Sequence, residues 1–280
     1  MSDASPVLRD VHGPSALGGG LRRALDLLYL IAVSEFRRSY LGTALGYLWS
    51  LARPLLLFAV LLAVFTQAFD LGDRVTHYPV LLLFNIVLFS FFQEATSQAV
   101  HSIVGQESVV RKSQFPRLVI PLAVVLTSLF NLGVNLAVVL VFVVVAGIEP
   151  MWTWLLFPLL VAVLFVLTTA VAMMLSALYP RFRDTAIIWG VAATALFYAT
   201  PVLYPLEIVS GRLREVLALN PLAVVFELAR KWVIDPAAPG PAAAAGGTAR
   251  LLVPAAAFVL VCVLAVRVFT REAPRIAEEL

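Results

Sequence analysis

Charge is what this sequence has least of. Asp, Glu, Lys and Arg make up 13% of its 280 residues, against roughly 25% in a soluble domain. That leaves too few charges to cover a water-facing surface and excludes an ordinary soluble globule. Cysteine is almost absent. Cys262 stands alone in an apolar run, so no intramolecular disulfide and no multi-cysteine metal site is available. Lysine occurs only at Lys112 and Lys231, and arginine supplies the other 18 of the 20 basic residues. The chain also lacks a nucleotide cradle. Gly18, Gly19 and Gly20 form its one glycine triplet, and no lysine follows them. If ATP drives this protein, another chain binds it. Neither H-E-x-x-H nor G-x-S-x-G occurs, which removes two common routes to hydrolytic chemistry. Histidine is limited to His12, His77 and His101.

What the chain has in quantity is apolar sequence. Hydrophobic residues make up 61% of it, and mean hydropathy is +0.96. Several runs approach the roughly 20 residues that cross a ~30 Å hydrocarbon core. Six spans are expected, at about Leu45–Phe69, from Tyr78, at Leu118–Gly147, Leu155–Leu178, Thr185–Tyr204 and Leu251–Phe269. The fold class is therefore all-α and integral to the membrane. Residues 1–20 are polar, lack the charged-then-apolar order of a signal peptide, and read as a flexible cytoplasmic tail. Residues 21–39 hold an amphipathic interface helix, since Leu21, Ala24, Leu25, Leu28, Ile31 and Ala32 recur at helical spacing. The six-helix unit occupies 40–270, and 271–280 is a polar tail. Residues 206–235 are apolar but broken by charges, as short helices in the interface are. Pro236–Ala249 is rich in Pro, Ala and Gly and reads as a mobile loop.

Placement of the basic residues sets orientation. With the N-terminus inside, 14 of the 20 lie on the inner side. The short loops give the clearest contrast, with three and two basic residues inside and one and none outside. Both termini are thus expected in the cytoplasm. This distribution, at membrane edges and not on one surface, accounts for the pI of 9.2 without nucleic acid.

Three groups of residues are candidates for function. In the second span Ser90, Glu94, Ser97, Gln98 and His101 share one helical face. Glu94 and His101 suit a proton relay, although such a pair more often packs against neighbouring helices or marks a helix leaving the membrane. Arg53 lies inside the first span, where a long side chain snorkels or pairs. With Arg37 and Arg38 it suits a diphosphate, through charge-assisted hydrogen bonds, although positive-inside anchoring explains Arg37 and Arg38 equally well. On span five, Trp189, Phe197 and Tyr204 fall within roughly 80° at ~100° per residue. With Tyr198, and with Trp49 and Phe58 on span one, they form a candidate aromatic path. Aromatic faces pack on the C–H faces of sugars and so suit a sliding polymer, although packing on other helices or lipid explains each of them as well.

Four stretches carry a family resemblance: Phe36-Arg37-Arg38-Ser39-Tyr40-Leu41-Gly42 through Trp49 and Pro54; Val110-Arg111-Lys112-Ser113-Gln114-Phe115-Pro116-Arg117 with Ile120-Pro121-Leu122; Arg181-Phe182-Arg183-Asp184; and Phe197-Tyr198-Ala199-Thr200-Pro201-Val202-Leu203-Tyr204-Pro205 with Asn220-Pro221 downstream. In order and spacing the chain resembles the ABC-2 type permeases that export cell-surface polysaccharides, namely the O-antigen, cell-wall galactan and teichoic acid exporters.

The resemblance implies a non-enzymatic permease in the bacterial cytoplasmic membrane. Two copies would form a channel above two ATPase subunits, which would carry the ATP and Mg, so this chain would hold no cofactor. It implies a coupling helix at 107–117, touching the ATPase through Glu107, Arg111, Lys112 and Phe115. It implies outer gate helices at 206–235, a path lined by spans one and five, and a polysaccharide on a polyprenyl diphosphate. An exporter of drugs or small lipids and a proton-coupled secondary transporter stay open as alternatives.

Overall fold

In the computed structural model, the described residues are 28–29, 32–33, 48–106 and 117–272. All regular structure among them is helical, and five helices are long and apolar enough to cross a membrane. The major helices are α1 (Leu48–Gln67), α2 (Tyr78–Gly105), α3 (Val119–Val145), α4 (Phe157–Leu178), α5 (Thr185–Ala199), α6 (Gly211–Ala218), α7 (Pro221–Val233) and α8 (Leu252–Glu272). Trp152–Leu156 forms a 3₁₀ turn that leads into α4.

The centre of the protein is α2. Of its most apolar stretch 78% is buried, against 11% for α1 and 11% for the stretch containing α8. Helices α1, α3, α4 and α5 all pack on it, while α8 packs on α4. A helix surrounded by protein needs no polar stripe for water, and α2 is apolar over most of its circumference. The exposed faces of α1 and α8, with Leu56, Val60, Val259 and Leu260 uncovered, are what lipid or a second apolar surface accepts.

The segment expected as a single fifth span divides in two. Helix α5 stops at Ala199 after 15 residues, about 22 Å at 1.5 Å per residue, short of a ~30 Å core. Pro201 removes a backbone donor and disfavours the helical conformation at Thr200 before it, and Thr200 is extended with ψ 145°. The chain from Thr200 to Pro205 then runs without helix. Its carbonyls are held from α2: the Asn85 amide donates to Pro201 O at 3.0 Å and Val202 O at 3.3 Å, and the Tyr78 hydroxyl donates to Leu203 O at 2.9 Å.

One further element differs from expectation. Pro236–Ala249 is packed, not loose. It contains a short helix, Pro241–Ala245, whose Ala244 and Ala245 are buried with Leu206, Ala218 and Ala223. Alanine side chains are small enough to let backbones approach closely, and Gly246 at φ 79° supplies the left-handed residue that ends the helix. Of the expected interface helix only Leu28, Tyr29, Ala32 and Val33 are described. They are helical, with Leu28 and Ala32 buried against Val119 and Ala123 of α3.

Removing the donors that hold the broken span should be costly. Asn85→Ala should lower stability in detergent by about 1–3 kcal/mol, and Tyr78→Phe by about 0.5–1.5 kcal/mol, because the first leaves two buried carbonyls without a donor. Thermal unfolding of the purified variants reads the difference, and equal stability of all three proteins would contradict this role.

Candidate functional site

Successive residues of α2 are rotated by about 100°, so its length sorts them into faces. Tyr78, Asn85, Phe89, Phe92 and Thr96 fall within about 60° of one another. This stripe receives α5 and the chain after it. Phe197 meets Phe89 edge-on at 5.2 Å, Trp189 meets Phe92 edge-on at 6.0 Å, and the Trp189 indole donates to Thr96 Oγ1 at 3.2 Å. Trp189 and Phe197 are therefore half-buried, with part of each ring left open. Tyr198 meets Phe197 edge-on at 5.3 Å and is 61% exposed. Tyr204 is not on the helix. Its hydroxyl folds back and donates to Tyr198 O at 2.8 Å. The 80° arc expected on span five holds for Trp189 and Phe197, while Tyr204 reaches the same region through the break at Pro201.

On span one, Phe58 is buried and meets Phe142 of α3 edge-on at 5.6 Å, whereas Trp49 is 57% exposed. The described structure gives Phe58 a packing contact and leaves Trp49 open. Arg37, Arg38, Glu107, Arg111, Lys112 and Phe115 lie outside the described residues.

The opposite side of α2 carries Ser90, Glu94, Ser97 and Gln98 toward a cavity of about 650 Å³ between α1, α2 and α3. Arg53 and Trp49 line it from α1, and Ser128, Asn131 and Asn135 from α3. Glu94 Oε1 accepts from Gln98 Nε2 at 3.0 Å and from Asn131 Nδ2 at 3.3 Å. Arg53 and Glu94 line the same cavity from facing helices. His101 turns elsewhere, edge-on to the Tyr179 ring at 4.5 Å. Glu94 and His101 are therefore held by different partners and form no direct pair. Sequence reasoning passed over the α3 side of this cavity. Its signal was Asn131 and Asn135, two amides one turn apart in an otherwise apolar run, where unpaired polar groups are expensive.

A second polar cluster ties α7 to the chain after α5. Asn220 caps α7, its Oδ1 accepting from Leu222 N at 3.0 Å, while its amide donates to Thr200 Oγ1 at 2.9 Å. Glu227, 3% exposed, accepts from Leu206 N at 3.0 Å. Arg230, equally buried, donates to Glu207 at 2.8 Å and lies 3.7 Å from Asp235. The start of the 3₁₀ turn is fixed to the same helix end: Thr153 donates to Trp232 O at 2.6 Å and the Trp154 indole to Val233 O at 3.1 Å. Trp152, 89% exposed, is the free interfacial ring. Among the described residues no group of His, Cys, Asp and Glu is arranged to hold a metal.

These features define a polytopic helical membrane protein with an interrupted span and a polar cavity inside the helix bundle. The model of the family "ABC-2 type transporter" matches residues 26–233, and the chain belongs to that family. It is 30% identical over 198 residues to the "O-antigen export system permease protein RfbA" of Myxococcus xanthus, a match covering 70% of this chain and 75% of that protein. It is 28% identical over 199 residues to a protein of the same name from Klebsiella pneumoniae, covering 71% and 76%. A second Klebsiella pneumoniae protein of that name is 26% identical over 199 residues, with the same coverage.

Burial raises the Glu227 carboxyl above the ordinary carboxylate range, and the Leu206 N–H and Arg230 only partly offset this. The folded state thus holds the proton more tightly than the unfolded chain. Stability from this group is present below the ordinary carboxylate pKa and is lost as pH rises through the raised one. Glu227→Gln keeps an acceptor for Leu206 N and removes the titration. In thermal unfolding at pH 5 and pH 8, the wild type should lose more stability at the higher pH than the variant does. An identical pH dependence in both proteins would contradict the assignment.

Proposed function

We propose that this chain is the permease subunit of an ATP-driven exporter that moves a lipid-linked polysaccharide, an O-antigen or cell-wall galactan, out across the bacterial cytoplasmic membrane. The observation that carries this reading is the match, over about three quarters of their length, to three permeases named for O-antigen export. The missing phosphate-binding loop agrees with it, because ATP and Mg then belong to a partner. Two copies of the chain form the channel and two ATPase subunits bind beneath it. The segment 107–117 is the coupling helix, with Glu107, Arg111, Lys112 and Phe115 against the ATPase.

Both termini lie in the cytoplasm. The fifth of the six spans is α5 completed by the extended chain to Tyr204, and residues 206–235 are the outer gate. The charged turn between α4 and α5 is then inner, where Arg183 lies over the Tyr179 ring at 5.0 Å and Arg181 pairs with Glu272 at 3.6 Å. Trp189, Phe197, Tyr198 and Tyr204 present ring faces to the polymer on one side of the path, with Trp49 from α1, while Phe58 is taken up by its contact with Phe142. Arg37, Arg38 and Arg53 receive the lipid diphosphate on the cytoplasmic side, where guanidinium groups bind phosphate oxygens in bidentate fashion.

Purification through a C-terminal tag from the native host should bring down a stoichiometric ATPase subunit, and replacing Arg111–Phe115 by a Gly/Ser linker should release it. A chain that purifies alone and moves substrate without nucleotide would contradict the reading. Alanine at Trp189, Phe197 or Tyr204 should reduce polymer export severalfold while the complex continues to hydrolyse ATP. Unchanged export in all three single variants would remove the aromatic path.

A further inference from the structure

We propose that the cavity between α1, α2 and α3 is a sugar subsite, which takes one neutral pyranose ring of the lipid-linked saccharide. The inference rests on the proposed function and names what this part of the permease binds.

Charge is the first ground. Among the described lining residues Arg53 and Glu94 are the only ionisable pair, one of each sign. A diphosphate entering the cavity would meet a carboxylate with a single guanidinium to offset it. A neutral polyol meets no such repulsion, so the diphosphate stays outside, on the Arg53 side, and the ring enters.

Hydrogen-bonding capacity is the second ground. Glu94 Oε1 is occupied by Gln98 and Asn131, whereas Oε2 accepts from no described residue. Ser90 and Ser97 bring hydroxyls to the same wall of the cavity, and neither side chain is buried. The Arg53 guanidinium, which also lines the cavity, makes no hydrogen bond to a described residue. An acceptor, a two-way hydroxyl and a multiple donor around one space match a group whose hydroxyls both donate and accept. The amide donors hold Glu94 Oε1 in place, so Oε2 is fixed before any ligand arrives.

Depth and shape complete the case. Glu94 lies 16 residues into α2 and Asn131 lies 12 residues into α3, about 24 Å and 18 Å along their axes. Polar side chains at such depth are costly and are characteristically retained for a ligand or a pathway. The volume of about 650 Å³ lies within the ordinary range for a small-molecule site. The exposed Trp49 ring at its edge offers a flat face for the C–H side of a pyranose.

The test is equilibrium binding to the complex of this chain with its ATPase partner in lipid nanodiscs. The probes are a radiolabelled polyprenyl diphosphate carrying one N-acetylhexosamine and the same lipid diphosphate without sugar. The wild type should bind the sugar-bearing lipid at least tenfold more tightly. Glu94→Ala should reduce that ratio below threefold and leave the affinity for the bare diphosphate within twofold. Gln98→Ala, on the exposed rim where folding is least at risk, should lower the ratio in the same direction. Equal binding of both lipids by the wild type overturns the sugar subsite and leaves the proposed function standing, as does a full tenfold ratio in both variants. Binding of neither lipid overturns the lipid-linked reading itself, and the subsite with it.

Discussion

Hydrocarbon offers no hydrogen-bond partner to a peptide group, and each one left unmatched there costs several kcal/mol. The structure turns on how it meets that constraint at a single place. Helix α5 is 15 residues long, and of the next six residues only Thr200 still bonds back into it, through its N–H to Leu196 O. A break of this kind is tolerated inside a membrane only where protein covers it. Here the cover is Asn85 and Tyr78 of α2, aimed at the carbonyls of Pro201, Val202 and Leu203. From the other side Asn220 donates to Thr200 while it caps α7. Two amides and one phenol thus fix the interrupted span to the bundle centre and to the helices that follow.

Seen along its axis, α2 explains why this arrangement leaves room for a site. One face, from Tyr78 to Thr96, is committed to the broken span and to Phe197 and Trp189. A second face, rotated by roughly a third of a turn or more, carries Ser90, Glu94, Ser97 and Gln98 into the cavity shared with α1 and α3. Because one rigid helix carries both, the aromatic side and the polar cavity hold a fixed relation to each other.

Much of this was legible in the sequence. The α2 polar face is written as Ser90, Glu94, Ser97 and Gln98 at helical spacing, and the spans are written as apolar runs. Pro201 and Pro205 were visible as residues that cannot continue a helix, but the run Thr185–Tyr204 was expected to be one span, and neither the break nor its cap by Asn220 was read. What was not legible depends on long-range pairing. Nothing local tells Asn85 to reach a carbonyl 116 residues away, and its amide is one more polar residue in an apolar run until α5 is placed beside it. Asn131 and Asn135 were hidden for the same reason. Periodicity placed Tyr204 on the Trp189 face, because an angle computed at 100° per residue assumes a helix that Pro201 ends. Composition misjudged Pro236–Ala249: alanine and glycine mark flexible chain when exposed, but close packing when a neighbouring surface buries them, as Ala244 and Ala245 are buried.

The central claim is that this chain carries a polysaccharide across the membrane while another protein makes and energises it. Its most direct test is to delete the chain in its host and locate the polymer. Intact cells and cells opened by detergent are labelled with a membrane-impermeant lectin or with periodate-hydrazide chemistry. The account predicts that polymer continues to be made and becomes reactive only after the cells are opened, and that a plasmid copy of the chain restores surface labelling. Surface polymer at the normal level in the deletion strain would contradict it.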